Sequence, residues 1–280
     1  MIELGKYNEM IVLRSTSIGL YLGDGETAEI LLPNNVVPKD YEIGKPITVF
    51  LYKDSEDRVI ATTKHPKLTL NQFAYLSIKD VNKAGAFADW GLEKDLMIPY
   101  QQQRLPLVKG ESHVVCLYLD LLTQRLAGST KINRFLNNDS NTLTHNEEVE
   151  LLIFEKTNLG YKAIINQKYY GLLYHNEIFQ PIDIGLTING YIKKLRSDGA
   201  IDLTLNQVGL EYLESNAQLI MDYMKKNGGF IKLTDKSDAN EIVALLQMSK
   251  KSFKRSLGIL YKQRLVRLEL DGTYLIGEGE

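Results

Sequence analysis

Cysteine, long apolar runs and a net charge are all scarce in this sequence of 280 residues. Its one cysteine, Cys116, excludes an internal disulfide, and its place in the apolar run 114–117 favours a buried structural thiol. No apolar run approaches the roughly 20 residues of a membrane span, and the N-terminal stretch lacks the apolar core of a signal peptide. We therefore expect a cytoplasmic protein with no membrane partner.

Signatures of catalysis and of metal binding are also missing. There is no glycine loop that could cradle phosphates and no nucleophile elbow, and the four histidines are not paired at metal-site spacing. Acidic pairs such as Asp54 with Asp57 stand in predicted turns, where carboxylates are usually solvated. The sequence predicts a protein that is not an enzyme and needs no cofactor or metal; carboxylates converging from distant parts of the chain are the alternative left open.

The formal net charge is −2, which argues against a protein that holds long duplexes mainly by neutralising phosphates. The charge is unevenly distributed. Residues 1–66 carry 7 basic and 10 acidic side chains, residues 67–138 carry 9 and 6, and residues 139–210 carry 6 and 9. A stretch of +3 thus lies between two stretches of −3 each, and residues 211–280, with 11 and 10, are close to neutral.

Internal repetition is the strongest pattern present. Four anchor residues in the middle of the chain are separated by 14, 11 and 16 residues, and the same spacings occur once before and once after them. The three sets are Gly19, Pro33, Gly44 and Ile60; Gly85, Pro99, Gly110 and Leu126; and Gly160, Tyr174, Gly185 and Ile201. Repetition at fixed spacing indicates three copies of one structural unit.

Each copy contains signals for about five strands. A short apolar or aromatic run follows the first glycine, and Gly25, Gly91 or Asn166 closes it six residues later. These residue types tolerate positive φ and mark a hairpin turn. An apolar strand, a long loop, a strand of period two and a final strand follow. This order predicts three tandem five-stranded barrels of the OB type.

Beyond Leu210 the hydrophobic period changes from 2 to 3.6, which predicts a helix with Ser215 as its N-cap. Its expected apolar stripe is Leu219, Ile220, Tyr223 and Met224. The sequence therefore changes from a β-rich region to a helical domain.

Two more helices and a hairpin follow. Asp238 and Glu241 have the spacing of a capping box at the start of a second helix. Ser249 can cap a third helix, whose apolar face is Phe253, Leu257 and Leu260. Alternation over residues 266–270 leads to a predicted two-residue turn at Asp271–Gly272. Helix, helix, turn, helix and hairpin is the order of a winged-helix domain.

The predicted fold class is therefore multidomain, mainly β and then α/β. We expect a first OB-fold domain over residues 1–66, a second over 67–138, a third over 139–209 and a winged-helix domain over 210–280.

Several phrases also resemble a known family. GLYLGDGETAEILLP, GAFADWGLEKDLMIP and GYKAIINQKYYGLLYHNE resemble the RNA-binding domain named after ribosomal protein S1. NQFAYLSIKDVNKAGAFADWGLEKDLMIP and CLYLDLLTQRLAGSTKINRFL are similar to the conserved virulence factor B family, the YitL-like proteins, and the resemblance covers essentially the whole chain. It implies three S1-type domains, a winged helix, and a bacterial role in post-transcriptional or virulence-gene regulation.

Barrels of this type bind single strands on the face of strands two and three, where aromatic rings stack on bases. Two residues after the first anchor glycines stand Tyr21, Phe87 and Lys162, which strand alternation places on the same side in every copy. The full set of candidate RNA contacts is Tyr21, Lys83, Phe87, Trp90, Lys162, Tyr169, Tyr174 and His175.

The S1 resemblance assigns the usual RNA-contacting aromatic to Phe87 and the usual histidine to His175. Two copies depart from the signature at the histidine, with Asn34 and Tyr100, and the third has Lys162 where an aromatic is expected. We therefore do not expect equal binding by the three copies. The alternative for the aromatic candidates Tyr21, Phe87 and Trp90 is packing inside a barrel or between barrels. Tyr169 and its neighbour Tyr170 must face opposite ways, so one of them is expected in a core.

Basic residues are concentrated in residues 250–267, which contain no acidic side chain. The candidate nucleic-acid contacts there are Lys250, Lys251, Lys254, Arg255, Lys262, Arg264 and Arg267. Helical spacing directs Lys251, Lys254, Arg255 and Lys262 away from the apolar face, as phosphate contact requires. A solvated helix face is the alternative.

These patterns favour an RNA-binding protein, acting as a regulator, whose most favoured partner is single-stranded RNA. A DNA-binding transcriptional regulator that uses the winged helix is one alternative, and a scaffold without nucleic-acid affinity is another. Fold alone does not choose among them, because both domain types carry several functions. The oligomeric state stays open.

Overall fold

The structure is a computed structural model that describes residues 2–23, 29–137, 142–206 and 210–276. It consists of two units, residues 1–136 and 137–280, which are treated separately below. The predicted fold class is confirmed: three closed or nearly closed five-stranded barrels precede a small winged-helix region. No helix in the described part of the chain is long and apolar enough to cross a bilayer.

The strands of the barrels follow the repeat anchors. The first barrel contains β1 (Tyr7–Thr16), β2 (Gly19–Gly23), β3 (Ile30–Pro33), β4 (Pro46–Lys53) and β5 (Val59–Thr62). The second contains β6 (Phe73–Asn82), β7 (Gly85–Ala88), β8 (Leu96–Pro99), β9 (Ser112–Asp120) and β10 (Arg125–Ser129). The third contains β11 (Glu148–Lys156), β12 (Gly160–Ile165), β13 (Tyr169–Tyr174), β14 (Thr187–Leu195) and β15 (Ile201–Thr204).

The first anchor of each copy pairs with the second across strands two and three. Gly19 lies opposite Pro33, Gly85 opposite Pro99, and Gly160 opposite Tyr174. At Gly85, φ is +155° and a Cβ would lie 2.4 Å from the Ile98 carbonyl oxygen. Any side chain would collide with strand three, so this position requires glycine.

The third anchor fixes the long connection to strand one. Gly110, with φ of +90°, donates its N–H to the carbonyl oxygen of Ile78 at 2.9 Å, where the register of β6 shifts. The equivalent donations run from Gly44 to Val12 and from Gly185 to Ile153, both at 2.8 Å. Each copy therefore closes its connection onto a bulge in its first strand.

Closure differs among the barrels. Strands three and five pair in parallel in the first barrel, through Leu31 and Ile60, and in the third, through Leu172 and Asp202. In the second barrel the sheet order is β10-β9-β6-β7-β8, and no pairing in the described residues joins β8 to β10. β8 and β10 nevertheless lie side by side, so the second barrel is nearly closed. We define the open seam as this boundary, where the two strands are not paired.

The first two barrels share one apolar cluster. Phe50 and Tyr52 from β4 pack in the same cluster as Leu68, Trp90 and Leu92, and all five are buried. Burial of large apolar side chains is the main stabilising term in folding. This shared cluster explains why residues 1–136 form a single unit.

The C-terminal region has the predicted winged-helix order. It contains α1 (Leu210–Lys226), β16 (Phe230–Ile231), α2 (Ala239–Leu246), α3 (Lys250–Lys262), β17 (Val266–Leu268) and β18 (Thr273–Leu275). The caps lie where the sequence predicts them: Asp238 accepts from the Asn240 N–H at 2.8 Å, and Ser249 from the Ser252 N–H at 3.0 Å.

Two details of this region differ from the prediction. Ser215 is not an N-cap, because α1 begins five residues earlier, at Leu210; Leu219 is 53% exposed instead of buried. In the wing, the Glu269 N–H donates to the Gly272 carbonyl, so the turn lies at Leu270 and Asp271, and Leu270 is fully exposed. Tertiary pairing of β18 with the unpredicted β16 sets this register.

Three predictions fall outside the described residues: the turn residue Gly25 and the domain boundaries near residues 138 and 209. The equivalent turn residues Gly91 and Asn166 have positive φ, at 93° and 46°. The domain limits stay predictions.

We predict that Gly85→Ala destabilises residues 1–136 more than Gly110→Ala does. Both positions have positive φ, which costs an alanine about 1–2 kcal/mol. Only the Gly85 variant also places a Cβ against a carbonyl oxygen, whereas a Cβ at Gly110 meets nothing within 4 Å. Urea unfolding followed by the emission of Trp90, the one tryptophan in the chain, measures both losses. Equal losses would show that the close approach to Ile98 is unimportant.

Candidate nucleic-acid interface

Three equivalent positions define the outer face of strands two and three. Tyr21, Phe87 and Lys162 are all half-buried, and each pairs with a half-buried residue of strand three: Leu31, Met97 or Leu172. Their neighbours along the strand point inward, as strand alternation requires, and are buried except for the half-buried Tyr161. The three copies therefore present comparable faces, which differ in what covers them.

In the first barrel the ring of Tyr21 is covered. The Arg14 guanidinium carbon lies 3.9 Å from the ring centroid, in a cation–π contact. Arg14 is held there by Glu29, with 2.5 Å between Nη2 and Oε2, and this hydrogen bond lowers the pKa of Glu29. A base could stack on that side of Tyr21 only by displacing Arg14.

In the third barrel the outer face is occupied by ion pairs. Lys162 Nζ lies 3.1 Å from Glu155 Oε2. Arg196 donates to the Tyr174 hydroxyl at 2.6 Å and pairs with Asp202 at 2.8 Å. The hydrogen bond to Asp202 raises the pKa of Arg196. These cations are partly neutralised before any phosphate approaches.

In the second barrel Phe87 is uncovered. Across the strands it faces Met97 and Asp80, and within the described residues no aromatic ring or cation lies over it. Lys83, in the β6–β7 turn, is exposed. A half-exposed ring, with an exposed lysine in the turn that precedes its strand, offers the stacking surface and the positive charge that binding of a single strand uses.

Phe87 lies in a cleft of about 510 Å³. The outer face of β7 and β8 forms its floor, the start of β10 one side, and residues 52–55 of the first barrel the other. The wall from the first barrel is fastened: Lys94 Nζ donates to the Asp54 carbonyl at 2.6 Å, and Arg125 pairs with Asp57. The hydrogen bond from Arg125 lowers the pKa of Asp57.

Two of the candidate aromatic residues are buried, which corrects their assignment as stacking rings. Trp90 is 3% exposed; its Nε1 donates to the Lys94 carbonyl at 2.6 Å, and its ring lies edge-on to Phe50, with 5.9 Å between centroids. Tyr169 is 3% exposed and hydrogen-bonds to the Thr142 hydroxyl at 2.6 Å. Trp90 thus seals the two barrels together, as the packing alternative stated, and Tyr169 belongs to the third core.

Tyr170 is the outward tyrosine that the candidate set omits. It is half-buried on the same side of β13 as Leu172 and Tyr174. The sequence carried a signal for it: Tyr169 and Tyr174 are an odd number of residues apart, so they cannot share a face.

His175 is exposed just after β13, and its ring lies 5.9 Å from that of Tyr161. Arg14 and Arg196, which cover Tyr21 and Tyr174, come from other strands and had no sequence signal.

The basic residues of the winged helix are mostly exposed. Lys250 is half-buried, and the other six candidates, Arg264 among them, are exposed. Lys254 Nζ lies 3.8 Å from Asp235, an acidic neighbour outside the run, and the Arg267 guanidinium lies 5.0 Å from the Tyr274 ring centroid.

Within α3, the three exposed cations other than Lys254 have no acidic partner in the part of the chain that the structure describes. Lys251, Arg255 and Lys262 lie four and seven residues apart, on one side of α3. They can therefore approach neighbouring phosphates together.

Two further features concern metal ions and the single thiol. No group of three histidine, cysteine or acidic residues in the described ranges could hold a metal ion. Burial raises the pKa of the Cys116 thiol to about 12, so the thiol is not ionised at neutral pH.

Comparison with known proteins identifies two of the domains. Residues 4–64 match the S1 domain, and residues 218–275 match the CvfB-like winged helix domain. Neither is an enzyme family.

Full-length relatives support the same assignment. The uncharacterized protein YitL of Bacillus subtilis is 26% identical, over 96% of this chain and 93% of its own length. Conserved virulence factor B proteins of Staphylococcus epidermidis and Staphylococcus aureus are 23% identical, over 98% of this chain and 94% of theirs. A crystal structure of a Streptococcus pneumoniae multidomain protein with nucleic acid binding domains is 23% identical and covers 98% of both chains, with a TM-score of 0.45. The two domain matches and the full-length curated relatives confirm the predicted family resemblance.

We predict that a thiol reagent at about pH 8 labels Cys116 on the order of a hundredfold more slowly in the native chain than in the chain unfolded by urea. The folded pKa of about 12 exceeds the unfolded value of about 8.5, so the unfolded chain releases its proton first. The free energy of unfolding should therefore fall as the pH rises from about 8.5 toward 12. Rapid native labelling would contradict the buried position.

Proposed function

We propose that this chain, a relative of the conserved virulence factor B proteins over nearly its whole length, binds single-stranded RNA in the bacterial cytoplasm. The second barrel supplies the principal stacking face, and α3 of the winged helix adds phosphate contacts. We also propose a role in post-transcriptional or virulence-gene regulation: the name of the relatives, conserved virulence factor B, supports a link to virulence, and post-transcriptional action rests on the proposed RNA binding.

The observation that carries this proposal is the uncovered ring of Phe87. Bases of a single strand stack on exposed aromatic rings, which tolerate any sequence because every base has a π-face. In the first barrel the equivalent residue, Tyr21, is covered by Arg14. In the third barrel the equivalent residue, Lys162, is paired with Glu155. The second barrel is also the repeat with a net charge of +3, from 9 basic and 6 acidic residues.

The winged helix contributes affinity without choosing a sequence. Lys251, Arg255 and Lys262 offer charge to phosphates, and phosphate contacts orient a protein but carry little base information. The same exposed side of α3 supports a second candidate function, binding of duplex DNA. Titration with single-stranded RNA, single-stranded DNA and duplex DNA at two salt concentrations separates the two functions, and a scaffold would bind none of them.

We predict that Phe87→Ala weakens binding of single-stranded RNA by about 1–3 kcal/mol, the value of one stacked base. The matched control is Tyr21→Ala, which removes a ring that Arg14 already covers, and we expect it to change the affinity little. Both residues are half-exposed, so the unfolding midpoints should stay close to that of the unsubstituted protein. An equal loss of RNA affinity in both variants would refute the idea that the first and second barrels bind unequally. An unchanged affinity in both would refute stacking of a base at this face.

We predict that replacing Lys251, Arg255 and Lys262 by glutamine flattens the dependence of log affinity on log salt. Each lost phosphate contact should reduce the slope by on the order of 0.7–0.9, according to strand type. Lys225 and Lys226, exposed at the end of α1, give a control variant of similar charge that should keep the slope. A triple variant with the original slope would mean that this side of α3 is only solvated. Loss of duplex binding alone would favour the DNA function.

A further inference from the structure

The cleft around Phe87 has the size and lining of a small-molecule site. Its floor is apolar, with Phe87, Met97 and Pro99, and polar groups including Ser55 and Thr123 stand on opposite sides. The volume of about 510 Å³ lies within the range of roughly 300–1,000 Å³ that is typical of ligand sites. Apolar floors with a few polar groups fix the orientation of flat heterocycles.

The open seam borders this cleft, which residues of both β8 and β10 line. One end of the seam is bridged, because the Thr130 N–H donates to the Gln102 carbonyl at 3.0 Å. At the other end, Leu96 and Met97 face the start of β10 across the cleft, and no hydrogen bond between the two strands is seen in the described residues.

We propose that this cleft receives one unstacked nucleobase of the bound strand, with its face on Phe87 and its edge toward the open seam and the polar sides. The proposal rests on the RNA binding proposed above and assigns a base pocket within it. A nucleobase has the required chemistry, because it combines a flat apolar face with donors and acceptors along its edge.

The charge of the lining suits the attached phosphate. Three cations, Lys53, Lys94 and Arg125, line the cleft with two carboxylates, Asp95 and Asp120. Arg125 is paired with Asp57, and Asp95 with Lys79 at 3.1 Å, so these two lining charges are largely neutralised by residues outside the cleft. The charges that remain are Lys53 and Lys94 against Asp120, a sum of +1, which attracts an anionic sugar–phosphate more than it repels it.

The pocket gives the first barrel a part in binding although its own face is covered. Residues 52–55 form a wall of the cleft, and the contacts of Lys94 with the Asp54 carbonyl and of Arg125 with Asp57 hold that wall in place. The acidic first repeat is therefore part of the site of the basic second repeat, and not only a spacer.

Filling the cleft from the wall tests the proposal. Ser55 is exposed at the edge of the cleft; Ser55→Leu adds apolar bulk there, whereas Ser55→Ala leaves the space open. Thr123→Leu fills the cleft from the opposite side. If one of the two leucine variants fails to fold, the other still tests the proposal. Trp90, the single tryptophan, lines the cleft and reports occupancy by its emission. The full chain is titrated with uridine and adenosine monophosphates and with a short oligouridylate.

We expect the mononucleotides to change Trp90 emission in the unsubstituted chain and in Ser55→Ala. Both leucine variants should bind the mononucleotides at least about tenfold more weakly and should also bind the oligouridylate less tightly. If the oligouridylate binds and Phe87→Ala weakens it, but Trp90 does not respond or the leucine variants bind as the unsubstituted chain does, the base pocket is refuted and the RNA function stands. If the oligouridylate does not bind at all, the proposed function fails and the pocket with it.

Discussion

The close approach between a glycine and the carbonyl of the facing strand is the constraint on which all three barrels depend. A Cβ at the first anchor glycine would lie 2.0–2.4 Å from that oxygen in every copy. Glycine at this position lets strands two and three pair from their first residue, which sets the register of the following strand and the place of the next turn. The spacing of the anchors is thus a steric requirement that recurs wherever the barrel is repeated.

A fixed scaffold leaves the outer face free to vary. The residue two positions after the anchor glycine is Tyr21, Phe87 or Lys162. The buried side of the same strand differs as well, with leucines in the first copy and alanines in the second. One face is closed by Arg14, one by the Glu155 ion pair, and one is left open. Divergence of the copies has therefore changed both the surface chemistry and the core side chains, while the order of the strands is kept.

The sequence predicted those features that depend on local chemistry. Asp238 and Ser249 cap their helices as predicted, because a cap is decided within three residues. The surroundings of Trp90 could not be predicted in the same way, since its partners Phe50 and Tyr52 belong to another barrel. The cleft beside Phe87 was not predictable either, because one wall comes from a loop that no periodicity connects to it.

The contact that holds the first-barrel wall of the cleft in place also has a consequence for protein synthesis. Asp57 lies in the first barrel, whereas its partner Arg125 lies in the last strand of the second, 68 residues later. A nascent chain that has released only the first barrel from the ribosome has the wall of the cleft but neither its floor nor the arginine that holds the wall. The cleft is completed near the end of translation of residues 1–136, so a partly made chain does not present it to RNA.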